Sequence, residues 1–179
     1  MEKLIQDLQE DLRNIIEGKK AKILRKKSGD MVDIRILRMI DFSLQWASVG
    51  YQSALRFAGM KFGRRLGEIS SSSELSLILE EIKKIIEELK EGEVELEISA
   101  KKNIAQLRIY ESSLVSSVPN VSQSLCFFKE GFIEGYLEGV IVVRGSFLSH
   151  FRKVVKVEVK ETKCQGRGDN FCQFTIVLK

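Results

Sequence analysis

Apolar and charged residues alternate strictly from Val94 to Ile98, and Leu107 and Ile109 continue the pattern within Ala105–Tyr110. Alternation puts every second side chain on one face and predicts two half-buried strands. The link Ala100–Asn103 is short enough to make them a hairpin. Val154, Val155, Val157 and Val159 begin a further strand, and Phe171, Phe174, Ile176 and Leu178 belong to a final one. Elsewhere the period lengthens. Leu75, Ile78, Leu79, Ile82, Ile85, Ile86 and Leu89 recur at steps of three and four, predicting an amphipathic helix over Glu74–Lys90 behind the polar break Ser70–Ser73. Leu4, Leu8, Leu12, Ile15 and Ile16 predict another over Lys3–Ile16, ending at Gly18.

Between these lie less regular stretches. Val32–Met39 follows the turn signal Ser28-Gly29-Asp30 and reads as extended. Asp41 then suits the N-cap of a long helix running to about Leu66, apolar nearly all round and so central. Ser112–Ser124 holds the only proline and reads as a loop, and Leu125–Val140 reads as helix. Strand pairs separated by a helix, after a run of helices, predict an α+β fold with an antiparallel sheet of about four strands packed against several helices. Residues 1–40 are expected to form an N-terminal helical arm and linker, and residues 41–179 the domain proper.

Composition narrows the chemistry. No apolar run in the 179 residues approaches the roughly 18 needed to cross a bilayer. The start, Met1 to Asp7, mixes charge with apolar residues and is no secretory signal, so a cytoplasmic protein is expected. A single histidine, His150, argues against imidazole acid–base catalysis and His-rich metal sites. The net charge of +4 is mild. Its one basic run, from Lys19 to Lys27, has no aromatic residue to stack a base, which argues for a solvated turn and against nucleic acid.

Three features carry a sharper signal. Gly59, Gly63 and Gly67, and again Gly131, Gly135 and Gly139, stand at steps of four in helical stretches. Such glycines cost helix stability, so each smooth face is expected to admit close packing onto the sheet or a partner. Neither series is a phosphate loop, because no Gly-x-Gly-x-x-Gly follows a strand. Phe128, Phe132 and Tyr136 share a helix face that, with Trp46 and Phe57 of the long helix, lines either an aromatic pocket or an ordinary core. The three cysteines are Cys126, Cys164 and Cys172, the last two flanking a compact Gly-Asp-Asn-bearing turn. Their spacing alone leaves metal ligation and buried thiols equally open, with a disulfide third.

The stretch from Cys126 to Gly139, followed by Val159-Lys160-Glu161-Thr162-Lys163-Cys164 and the loop to Cys172-Gln173-Phe174, resembles the 4-vinyl reductase domain family. The resemblance covers roughly residues 40–179. It implies a fold shared with subunits of Golgi-transport tethering complexes and with haem-based nitric-oxide sensors, and it embraces the sensor domains of phenol-responsive transcription activators. In those sensors three cysteines and a glutamate hold zinc, which on this chain implies Cys126, Cys164, Cys172 and Glu161. Residues three apart on a straight strand face opposite ways, so Glu161 and Cys164 share a metal only if the strand bends at Thr162-Lys163. His150 or water is the rival fourth ligand.

The expected function is binding of an apolar or aromatic small molecule by a protein built around a structural zinc. An assembly module of the tethering-subunit type is the alternative, and an enzyme acting on tetrapyrrole vinyl groups a third. The leucine stripe of the N-terminal helix predicts a homodimer.

Overall fold

The computed structural model describes residues 33–47, 50–72, 74–99, 104–116, 118, 120–144 and 156–179, with scattered positions before residue 20. Of the predicted N-terminal helix over Lys3–Ile16 only Gln6, Glu10, Arg13 and Asn14 are described, all of them helical, while Val154, Val155, His150 and the basic run beyond Lys19 lie outside the described residues. Alternation decides the sheet as expected. Strands β1 (Glu93–Ser99) and β2 (Ile104–Tyr110) pair antiparallel, Val94 against Ile109 and Leu96 against Leu107. Strands β3 (Val157–Lys163) and β4 (Cys172–Leu178) pair likewise, and β4 joins β2, giving the antiparallel order β1-β2-β4-β3. Ala105, Leu107 and Ile109 of β2 and Phe174, Ile176 and Leu178 of β4 all fall on the buried face.

The helices differ from expectation at their start. Ile34–Ala47 is helical (α1), so Val32–Met39 is not extended and Asp41 lies inside a helix instead of capping one. Asp33 supplies the cap: its Oδ1 accepts from the Arg35 amide at 2.9 Å. The expected long helix is also two. Tyr51–Gly67 forms α2, entered through Gly50 at φ +102°, a left-handed turn that glycine adopts without strain. Leu75–Glu88 forms α3 and Phe127–Arg144 forms α4.

The glycine faces pack neither on the sheet nor on a partner but on each other. A Cβ on Gly59, Gly63 or Gly67 of α2 would stand 2.2, 2.1 or 2.0 Å from the carbonyl oxygen of Phe128, Phe132 or Tyr136. Gly131, Gly135 and Gly139 of α4 meet the carbonyls of Arg56, Met60 and Arg64 in the same way. The pairing advances along both helices together, so α2 and α4 run parallel with backbones in direct contact. The other side of α4 closes the core, where Ile133 and Leu137 meet Ile78, Leu79 and Ile82 of α3 and the sheet.

The free edge of the sheet at β3 is covered by α4. Glu130 Oε2 accepts from the Glu161 amide at 2.8 Å and Glu134 Oε2 from the Val159 amide at 3.3 Å. One helix turn and two strand residues advance by nearly the same length, about 6 Å, which lets glutamates four apart cap alternate amides. Arg56 of α2 holds both carboxylates, at 2.7 and 2.5 Å. An edge strand that would otherwise invite a second chain is satisfied from within.

Candidate functional site: a thiol–carboxylate cluster beside an apolar cavity

The β3–β4 register slips between Glu161 and Lys163. This bulge is the bend at Thr162-Lys163 that a shared metal would require, and it turns both Glu161 and Cys164 inward, 6% and 0% exposed. The turn beyond Cys164 is tightened by Asp169, whose Oδ2 accepts from the Cys164 amide at 2.8 Å, and by Gly168 at φ +89°. Cys172 therefore comes back beside Cys164. Cys126 stands immediately before α4, where its amide donates to Glu161 Oε2 at 3.4 Å. The thiols and the carboxylate thus gather at the positive end of a helix, which favours thiolate.

All four ligand atoms of Cys126, Glu161, Cys164 and Cys172 lie within 4.8 Å of one another, and all four residues are buried. The Cys126 and Cys172 sulfurs are 3.6 Å apart, against about 3.8 Å between sulfurs at the corners of a zinc tetrahedron. The three thiols are free. Glu161 Oε1 is buried with no hydrogen-bond partner among the described residues. A buried carboxylate oxygen left in that state costs stability unless a cation or proton meets it, so the donor set fits a thiophilic divalent ion. Metal-free, these groups perturb one another. Donation from Cys126 and then Cys172 holds the Cys164 thiol well below its usual range. Bonds to Cys164 and Cys172, with burial, push Cys126 well above it. Burial, then the charge on Cys164, raises Glu161 to about 8.

A cavity of about 240 Å³ opens beside this cluster and shares Cys126 with it. Leu55 and Phe62 of α2, Ile85, Ile86 and Leu89 at the end of α3, and Leu125, Phe128 and Phe132 around the start of α4 line it, with Leu114. Lys129 and Glu91 complete the wall. The Lys129 side chain is only 9% exposed and pairs with Glu91 at 2.7 Å. Burial lowers its pKa, but the neighbouring Cys126 and Glu91 outweigh that and raise it.

Of the aromatic residues expected at a pocket, Phe128 and Phe132 line this one. Phe57 does not: it is 57% exposed, because the glycine stripe turns the opposite face of α2 to solvent, and Lys61 stacks over its ring at 4.8 Å. Tyr136 is fully buried and donates to Glu81 at 2.8 Å, in a carboxylate also held by Ser70 and Ser72. Trp46 belongs to α1, its side chain outside the described residues. The cavity also lies between α3 and the α2–α4 pair, not within that pair, since the glycines leave no space there. Sequence reasoning missed Lys129 and Glu91. The one available signal was a lysine inside an otherwise apolar and glycine-rich helix.

Fold and site together define an α+β domain in which helices and an antiparallel sheet enclose a cysteine–glutamate cluster under an apolar cavity. No family model matches the chain. It is 29% identical over 150 residues to an uncharacterised protein of Methanocaldococcus jannaschii, covering 84% of this chain and 80% of the relative. A second uncharacterised protein of that organism is 27% identical over 151 residues, covering 84% and 79%. Among solved structures, a vinyl-4-reductase family protein from Methanocaldococcus jannaschii matches with a TM-score of 0.58 at 19% identity, covering 100% of this chain and 97% of that one. The phenol-responsive sensory domain of the transcription activator PoxR, solved with phenol, matches at 0.62 and 14% identity, covering 96% and 90%. Subunit 3 of a trafficking protein particle complex from Naegleria fowleri, covalently bound to palmitic acid, matches at 0.58 and 22%, covering 82% and 95%. An H-NOX protein from S. oneidensis shares the architecture at 0.53 and 15%, covering 99% and 94%. The resemblance drawn from residues 126–174 thus holds at the level of fold.

Proposed function

We propose that this chain binds an apolar or aromatic small molecule in the cavity, with Cys126, Glu161, Cys164 and Cys172 holding one structural zinc. The observation that carries the reading is that Cys126 belongs to both the donor cluster and the cavity wall. A change in what fills the cavity therefore presses directly on the cluster that ties α4 to β3 and β4. The volume suits the role: a dry apolar cavity of about 150 Å³ accepts benzene, and this one is larger at 240 Å³. Support comes also from the PoxR sensory domain, solved with phenol, and from the trafficking subunit, bound to palmitic acid. Zinc, when bound, would complete a sphere of four protein ligands and leave no open position for water chemistry.

The chain's own residues do the rest. Glu130 fixes the backbone of Glu161, and Asp169 fixes that of Cys164, so two of the ligands are held from behind. Buried free thiols suit a reducing compartment, the cytoplasm. Ile36, Leu37, Met39 and Ile40 of α1 are 47% to 64% exposed, and such an apolar helix supports pairing with a second copy. No helix among the described residues is long and apolar enough to cross a membrane.

The test titrates the whole chain with phenols and longer apolar compounds while following melting temperature, before and after chelation. Ligand-induced stabilisation that weakens on chelation is expected. An unchanged melting temperature with every compound would leave an assembly module as the better reading. A monomer mass by light scattering at micromolar concentration would remove the dimer.

A further inference from the structure

The cavity is apolar except where Lys129 and Glu91 meet. Their ion pair, at 2.7 Å, is joined by Ser113, whose Oγ donates to the same carboxylate oxygen, Oε2. Among the described residues both side-chain partners of Glu91 therefore fall on Oε2, which leaves Oε1 to accept a further bond. The Lys129 ammonium likewise has N–H donors beyond the one given to Glu91. A polar pair set into an apolar wall is what orients a ligand in such a pocket.

The chemistry that satisfies this pair is narrow. A hydroxyl accepts from Nζ and donates to Oε1 at once. A hydrocarbon answers neither group. A carboxylate accepts from Nζ only, and it sets a second negative charge against Glu91. Among the described residues Lys129 is the one cationic side chain lining the cavity, and Glu91 already matches it charge for charge. Behind the Cys126 wall stand Cys164, Cys172 and Glu161, which carry negative charge or none. An anion gains no counterpart here.

Resting on the reading of the cavity as a ligand site, we infer that its ligand carries an uncharged hydroxyl, bound between Lys129 Nζ and Glu91 with its apolar body against Leu55, Phe62, Phe128 and Phe132. Lys129 and Glu91 are then the residues that set specificity.

The experiment is isothermal titration of the full chain with three compounds of one skeleton: 4-ethylphenol, 4-ethyltoluene and 4-ethylbenzoate. The phenol is expected to bind at least about tenfold tighter than either of the others, since a site built to hydrogen-bond a hydroxyl rejects analogues lacking it. In the double variant Lys129→Met/Glu91→Leu the phenol and the hydrocarbon should bind equally. That ratio is a quantity a merely structural role would not move. Should the double variant fail to fold, the wild-type series decides alone. Tightest binding by the benzoate, or equal binding of 4-ethyltoluene and the phenol to the wild type, would overturn the inference while leaving the cavity a ligand site. Binding of none of the three would remove the ligand-site reading and the inference with it.

Discussion

The two faces of α4 behave in opposite ways. One carries Gly131, Gly135 and Gly139 and meets α2 backbone to backbone, so that no side chain separates the helices. The other carries Phe128, Lys129 and Phe132 and stands off from the end of α3, leaving a cavity. Contact of the first kind gains dispersion and weak Cα–H···O contacts over the whole seam. The second face forgoes such contacts where the void lies. The comparison teaches that the cavity lies alongside a rigid seam, since α2 also supplies part of its wall through Leu55 and Phe62. Tilting α4 to close the void would have to break the glycine seam, where its backbone already lies against that of α2.

The sharpest way to break this contrast is Gly135→Val. The new Cβ would meet Met60 O at 2.1 Å and Met60 Cα at 2.7 Å, both backbone atoms that cannot turn aside. A loss of about 3 kcal/mol or more is expected in chemical denaturation. Next comes Arg56→Met, which takes a partner from Glu130 and Glu134 at the β3 edge. The arginine side chain is 35% exposed, so solvent screening limits the loss to about 1–2 kcal/mol. The Val159 and Glu161 amides should exchange faster. On the open face, Leu55→Phe adds a ring where there is room and should change stability by less than about 1 kcal/mol while weakening ligand binding. A large destabilisation there would mean the void is already filled. The smallest effect concerns α1. Arg35 holds the Asp33 carboxyl down at about 2, below its unfolded value near 3.9. The cap is therefore fully present above about pH 4 and lost as pH falls through 2. Amide exchange in Ile34–Ala47 should rise over that window, with the core unchanged.

Much of this was legible beforehand. Period-two alternation fixes the hairpin, because a one-residue slip would turn Leu107 and Ile109 to solvent. The bend at Thr162-Lys163 followed from the demand that Glu161 and Cys164 face one point, and the bulge supplies it. Ile34–Ala47 misled because β-branched residues alternate at its start, where the Asp33 cap outweighs their strand preference. The cavity was misplaced for a different reason. Glycines at steps of four announce a close approach but do not name the partner, and that partner decides which helix faces the aromatic side. Lys129 and Glu91 lie 38 residues apart and pair only through the fold.

The central claim is that the donor cluster beside the cavity is a metal centre. A native mass spectrum of the whole chain, purified without added metal, tests it directly. The account predicts one zinc per chain, lost with a large fall in melting temperature on chelation or in Cys172→Ser, since metal-binding energy here is folding energy. A metal-free mass, with all three thiols alkylated rapidly in the folded protein, would contradict it.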